Sequence, residues 1–206
     1  MKLQLVGCSH LTASVEIRQQ LAFQPDDLAS ALEDFRLRFP NTEAVVLSTC
    51  NRVEVYTAAE DEVGSPSHED VACFLAEFHN MKPEKILGAL FEQSGEDAVR
   101  HLFYVAASLE SMVIGESQIL GQVKKAYEQA TLLGSTGPLT HGVFQAALKA
   151  ARLVATHTSI HQRRTSVPAV AIAELSKQIF ERLNNKNILL IGAGEMAEET
   201  LEYIRE

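Results

Sequence analysis

An α/β chain is predicted, with an antiparallel split βαβ sheet and a helical subdomain in its first part and the opening strand and helix of a doubly wound domain at its end. Three observations carry the prediction. Over residues 3–92, apolar runs and apolar residues at helical spacing follow one another in the order strand, helix, strand, strand, helix, strand. From Gly95 to Val154, apolar residues recur at the three- and four-residue steps of helices. Residues 187–191 then form a buried-type run that passes directly into Gly192-Ala193-Gly194.

Residues 3–8 read as the first strand, and the hydroxyl-rich stretch 9–14 can cap a helix starting near Val15. After Pro25, the spacing of Leu28, Ala31, Leu32 and Phe35 predicts a second helix, which Pro40 and Asn41 end. Residues 44–47 form a buried strand, and 53–56 a second one whose apolar and polar residues alternate. The turn 64–67 leads into a helix carrying Val71, Phe74, Leu75 and Phe78; a short helix at 83–87 and a strand at 89–92 complete the sheet, its helices on one face. Three apolar stripes follow: Ala98, Leu102, Val105, Ala106 and Leu109; Ile119, Val123, Ala126, Ala130 and Leu133; Val143, Ala147, Ala150 and Val154. Residues 158–167 lack an apolar period and read as a linker, and Pro168 opens a helix with Ile172, Leu175, Ile179 and Leu183 on one face. The strand 187–191, its glycine turn and the helix 195–205 make the first unit of a Rossmann-type domain, where helix N-terminal N–H groups face a pyrophosphate. No second strand follows. The expected division is therefore 1–157 as one domain and 158–206 as a linker helix and truncated second domain, with no partner in the chain for strand 187–191.

At 206 residues, 46% hydrophobic and 22% charged, the chain has the composition of a soluble protein with one sizeable core or a core and part of another. No apolar run reaches membrane-spanning length and the N-terminus lacks a signal-peptide pattern, so a cytoplasmic location is expected. The net charge of −9 argues against indiscriminate nucleic-acid binding. Local phosphate contacts remain open to Lys124-Lys125, to Lys149 with Arg152, and to Arg163-Arg164. Cys8, Cys50 and Cys73 form neither a disulfide framework nor a zinc pattern, and Cys8 with His10 lacks a partner pair, so no metal site is expected.

Chemistry concentrates where the first buried strand ends, at Leu47-Ser48-Thr49-Cys50-Asn51-Arg52. An isolated cysteine is usually a packed core residue. Arg52 shifts that reading, because a guanidinium two residues away can fork onto a substrate carboxylate and favours thiolate over thiol. Cys50 is the expected nucleophile.

That run resembles the active-site signature of the glutamyl-tRNA reductase family. The resemblance extends through Gly7-Cys8-Ser9-His10-Leu11-Thr12-Ala13, through the long run from Ser108 to Lys124, and through Gly192-Ala193-Gly194-Glu195-Met196, in the family's order. It implies NADPH-dependent reduction of glutamyl-tRNA to glutamate-1-semialdehyde through a thioester on Cys50, without a metal, as the first step of tetrapyrrole biosynthesis. It also implies a full-length homodimer, with further NADPH-domain and helical dimerisation segments, and handover of product to an aminomutase. Thr49, Asn51, Arg52, Ser111, Glu116, Ser117, Gln118 and Gln122 fall on the family's substrate-contacting positions, and Gly192, Ala193, Gly194, Glu195, Met196 and Ala197 on its cofactor loop. Arg52 suits the glutamate side-chain carboxylate, Glu116 its ammonium group, and Gln118 and Gln122, four apart on a predicted helix, can line one cleft. His101 matches a position needed for full activity, either donating a proton to the leaving ribose oxygen or orienting the thiol. Ser14 and Ser117 stand where the resemblance leads one to expect proline; the first loosens the expected helix start, and the second lies inside the substrate loop, whose geometry the resemblance then does not fix.

Two other classes fit parts of the same pattern. A cysteine hydrolase or acyltransferase would use Cys50 and His101 with no cofactor, and only the glycine loop distinguishes it. A non-catalytic tRNA-binding module would be indifferent to Cys50.

Overall fold

The computed structural model describes residues 2–24, 26–60, 65–116, 118–160, 187–192, 194, 197, 198, 200, 201 and 204. Its strands are β1 (Lys2–Ser9), β2 (Glu43–Ser48), β3 (Arg52–Ala59) and β4 (Phe91–Ser94). Its helices are α1 (Val15–Leu21), α2 (Asp27–Arg38), α3 (His68–Phe78), α4 (Pro83–Ile86), α5 (Glu96–Ala106), α6 (Gln118–Leu132) and α7 (Pro138–His157). The sheet order is β2-β3-β1-β4 with every pair antiparallel, the split βαβ arrangement expected from the sequence.

Local chemistry explains the helix starts. Ser14 is extended and its Oγ accepts from the Ile17 N–H at 3.5 Å, so serine caps α1 where a looser start was expected. Ser67 and Asp70 close a reciprocal capping box on α3. The start of α7 takes its cap from the sheet: Glu43 accepts from the backbone N–H groups of Leu139 (3.1 Å) and Thr140 (2.7 Å).

Both faces of the sheet are covered, which corrects the expectation of helices on one face. All eight residues of β3 are buried. On one side lies an aromatic cluster in which Phe35 of α2 meets Phe74 of α3 edge-on at 5.1 Å. On the other, Tyr56 meets Phe144 of α7 edge-on at 5.4 Å and Glu54 meets His101 of α5. The expected α7 stripe also shifts. The buried residues are Thr140, Phe144, Ala147, Leu148 and Ala151, whereas Val143, Ala150 and Val154 flank them half-buried, because Phe144 is the large side chain that fills the space over Tyr56. Leu109 and Leu133, assigned to the other two stripes, lie beyond their helices and are exposed. The turn after α6 covers the free edge of β2, with Ala44 N–H donating to the Ser135 carbonyl (2.8 Å) and Ser135 Oγ to the Ala44 carbonyl (2.9 Å).

Residues 187–192 are irregular and exposed, with Leu189 and Ile191 more than 80% accessible, so the expected strand is not formed here. No strand among the described residues lies beside it to complete its backbone hydrogen bonds. Helical backbone begins by Ala197, whose N–H donates to the Gly194 carbonyl at 2.8 Å. The expected linker beyond residue 160 and the helix from Pro168 lie outside the described residues.

Candidate active site

Cys50 and Asn51 form the tip of the β2–β3 hairpin, and the backbone around them is tied down on every side. Thr49 N–H donates to the Arg52 carbonyl at 2.8 Å, and Thr49 Oγ1 accepts from the Asn51 and Arg52 N–H groups at 3.2 Å each. The Asn51 carbonyl accepts from His10 N–H (2.8 Å), and the Cys50 carbonyl from Arg18 Nε (3.4 Å). Arg18 is itself buried and donates to the Ala13 carbonyl at 2.6 Å. The cysteine is thus exposed on a rigid support.

A cleft of about 10 Å³ opens at the tip, lined by Thr49, Cys50, Asn51, Arg52, Ser111, Glu116, Ile119 and Gln122. Its far wall is the strap 107–116 between α5 and α6. Ser108 holds this strap with a left-handed backbone (φ 62°) and an Oγ donating to the Glu116 carbonyl. Arg52 Nη2 donates to the Glu110 carbonyl from the opposite side. Six of the sequence-predicted substrate residues, Thr49, Asn51, Arg52, Ser111, Glu116 and Gln122, therefore meet around Cys50. Gln118 opens α6 one turn before Gln122, and Ser117 lies outside the described residues.

Burial, and next the Glu116 charge, push the Cys50 thiol above its ordinary range, against smaller opposing effects of a backbone hydrogen bond and Arg18. The expectation that Arg52 favours the thiolate is corrected. Its guanidinium turns inward, where Nη1 pairs with Glu54 Oε1 at 2.6 Å and the charge is compensated.

Behind the cleft, Glu54 is fully buried and both of its carboxylate oxygens have hydrogen-bond partners. Oε1 accepts from Arg52 and meets His101 Nε2 at 2.9 Å, while Oε2 accepts from Tyr56 Oη at 2.6 Å. Burial raises the Glu54 pKa, but the His101 hydrogen bond, the Arg52 and His101 charges and the Tyr56 bond outweigh it and leave the carboxyl below its ordinary range. Burial and the adjoining carboxylate push Tyr56 well up. Among the described residues, His101 is linked to the cysteine cleft through Glu54 and Arg52. Gly7 makes the cluster possible, since a Cβ there would lie 2.5 Å from the Val53 carbonyl oxygen and 2.9 Å from Glu54 Cγ.

Sequence reasoning missed Arg18, Glu54, Tyr56 and the proximity of His10. The pattern Arg52, Glu54, Tyr56 at every second residue was visible, but period-two polarity is also the mark of a solvated strand face. Among the described residues, no cluster of three or more His, Cys, Asp or Glu side chains could hold a metal ion, and no helix is long and apolar enough to cross a membrane.

Residues 6–158 match the family model described as the N-terminal domain of glutamyl-tRNA(Glu) reductase. The chain belongs to the glutamyl-tRNA reductase family. It is 49% identical over 205 residues to a glutamyl-tRNA reductase of Rhodopirellula baltica, covering 100% of this chain and 48% of that protein. With one of Citrifermentans bemidjiense the identity is 44% over 198 residues, covering 96% and 45%. The solved glutamyl-tRNA reductase from Methanopyrus kandleri superposes with a TM-score of 0.68 at 32% identity, covering 98% of this chain and 46% of that one. The chain thus spans about half the length of the relatives it matches.

Proposed function

We propose that the domain spanning residues 1–157 accepts the glutamyl group of glutamyl-tRNA on Cys50, as the acyl-transfer half of a cytoplasmic, NADPH-dependent glutamyl-tRNA reductase. The observation that carries this reading is the convergence of Thr49, Asn51, Arg52, Ser111, Glu116 and Gln122 on an exposed cysteine at a rigid hairpin tip. The substrate and the whole activity are taken from the names of the relatives.

In the proposed step, Cys50 Sγ bonds to the acyl carbon, the ester C–O bond breaks, and the thiol proton ends on the departing ribose oxygen. Glu116 couples binding to reactivity. Its carboxylate disfavours the thiolate in the free protein, and the substrate's α-ammonium neutralises that charge on arrival. Arg52 lines the cleft and is assigned the side-chain carboxylate, for which a guanidinium has five N–H donors, more than the contacts to Glu54 and Glu110 require. His101 is a positioning residue that orients Glu54 and, through it, Arg52. Ser117, Gln118 and Gln122 complete the amide and hydroxyl wall. Because the cleft, at about 10 Å³, is barely large enough for one water, it must widen to admit a glutamyl group.

NADPH would lie against Gly192, Ala193, Gly194, Glu195, Met196 and Ala197. The fit rests on Gly192, whose φ of 133° suits glycine alone, on helical backbone beginning by Ala197, and on the exposure of this turn. When bound, it supplies the hydride that converts the thioester to aldehyde.

Mixing the protein with glutamyl-tRNA and reading the intact mass tests the acyl transfer. The expected product is one glutamyl adduct mapping to Cys50. An adduct on Cys8 or Cys73, or one that persists in Cys50→Ala, overturns the assignment.

A further inference from the structure

Two links hold the segment after β1 against the hairpin that carries Cys50. His10 N–H donates to the Asn51 carbonyl at 2.8 Å. Arg18 supplies the other link, donating to the Ala13 carbonyl through Nη1 at 2.6 Å and to the Cys50 carbonyl through Nε at 3.4 Å. Between these ties the turn closes on itself: the Thr12 and Ala13 N–H groups donate to the Ser9 carbonyl at 3.0 and 2.9 Å, and Ser9 Oγ accepts from Leu11 N–H at 3.2 Å. His10 is thus fixed beside the hairpin tip, yet its ring is left without a partner. Among the described residues, His10 Nδ1 is shielded from solvent and makes no hydrogen bond. A shielded nitrogen left unpaired costs free energy in folding, and a catalytic use is one of the few reasons a fold keeps one.

We infer that His10 is the proton carrier of the acyl transfer: its unpartnered nitrogen takes the Cys50 thiol proton as Sγ bonds to the acyl carbon, and hands it to the ribose oxygen as the ester C–O bond breaks. The inference rests on the acyl-transfer reading above and supplies the proton path which that reading leaves open. The step balances, because the imidazole is neutral before and after and the proton passes from sulfur to oxygen.

Among the described residues around the hairpin tip, no other group suits the task as well. Arg18 and Arg52 have no lone pair to offer a proton. Glu116 meets the substrate's ammonium in that reading, and a carboxylate is a weak acceptor for a thiol whose pKa is raised. The other imidazole, His101, has Nε2 against buried Glu54 at 2.9 Å, with Arg52 between that carboxylate and the cleft. His10 also has the right charge state. Burial first, then the guanidinium groups of Arg52 on β3 and Arg18 on α1, lower its pKa against the opposing carboxylate of Glu110 on the strap. The ring is therefore neutral and able to accept a proton at pH 7, and it loses that capacity as pH falls below the ordinary 6.5 and through the lowered value.

The rate of Cys50 acylation by glutamyl-tRNA, read by intact mass across pH, tests the assignment. In the unsubstituted protein the rate should fall on the acid side at the pH where the His10 imidazole titrates by NMR. His10→Asn, whose amide carries no proton between sulfur and oxygen, should slow acylation about 10²-fold at pH 7 and abolish the acid limb, whereas His101→Gln should keep the limb. A second donor, glutamyl thiophenyl ester at a pH above that of the thiol, needs no proton transfer, because the sulfur is already ionised and thiophenolate leaves unprotonated. The deficit of His10→Asn should close with that donor. Equal slowing with both donors marks a structural role and overturns the inference, as does an acid limb that survives in His10→Asn or vanishes in His101→Gln. If His10→Asn does not fold, the unsubstituted protein decides: an acid limb displaced from the His10 titration overturns the assignment. Failure of both donors to acylate Cys50 in the unsubstituted protein overturns the acyl-transfer reading itself and this inference with it.

Discussion

At Cys50, two neighbouring ionised groups do opposite work. Glu116 adds to burial in raising the thiol pKa, whereas Arg52, two residues away in sequence, spends its charge on Glu54. Glu116→Gln should therefore lower the pH midpoint for alkylation of Cys50 by iodoacetamide, read by peptide mapping so that Cys8 and Cys73 do not interfere. An unmoved midpoint would show that the Glu116 charge is not felt at the sulfur. The Arg52–Glu54 pair predicts a stability effect with a definite sign. Glu54 has a depressed folded pKa, so its contribution is complete above its ordinary value of 4.5 and is lost as pH falls through the lower folded value. Glu54→Gln leaves a buried guanidinium uncompensated and should cost about 3–5 kcal/mol at neutral pH, with the gap to the unsubstituted protein narrowing in acid. Urea titrations at pH 7 and pH 3 measure both. Cys50 was legible in the sequence because a thiol, a hydroxyl and a guanidinium crowd the end of an apolar run. Glu54 and His101 were not legible as a pair, since 47 residues separate them and only the packing of α5 on the sheet brings them together.

Among the elements, β1 and β3 decide whether the site exists. Gly7 lies opposite Glu54 in the register, and the atoms that a Cβ would meet there include the Val53 carbonyl and Glu54 Cα, which are backbone and cannot rotate away. Gly7→Ala should destabilise the domain by about 1–3 kcal/mol and should also slow Cys50 acylation, because the strand shift moves the Glu54–Arg52 support. Thermal melts and adduct-formation rates test the two effects; a variant with normal stability and normal acylation would remove the packing argument. The sheet itself was readable from local periodicity, as were its order of elements and a hydroxyl cap at the start of α1. The cover on its second face was not, because β3 alternates Val53, Val55 and Thr57 with Arg52, Glu54 and Tyr56, and only the three-dimensional network tells a buried polar row from a wet one. The slipped stripe on α7 has a similar cause: which of several adjacent apolar residues turns inward depends on Tyr56 across the interface, not on α7 alone.

For the whole molecule, the residues proposed for acyl transfer and those proposed to meet a cofactor differ in how the described structure supports them. Every side chain assigned to acyl transfer, His10 aside, falls within residues 49–122, on elements that share one hydrophobic core, whereas Ile188–Ile191 is exposed and unpaired with any described strand. A dinucleotide site needs strands on both sides of its glycine turn to hold the pyrophosphate and the two nucleoside halves. The 206-residue chain should therefore be acylated by glutamyl-tRNA but bind NADPH very weakly and yield no semialdehyde. The thioester then has only water as an acceptor: hydroxide adds to the acyl carbon, the C–S bond breaks, and glutamate and the free thiol are released. Following both products during an NADPH titration tests this. Free glutamate that accumulates at a rate independent of NADPH is the expected result, and it should disappear in Cys50→Ala. Stoichiometric semialdehyde with saturable NADPH dependence would show instead that residues 187–206 assemble a working cofactor site on this domain without further strands.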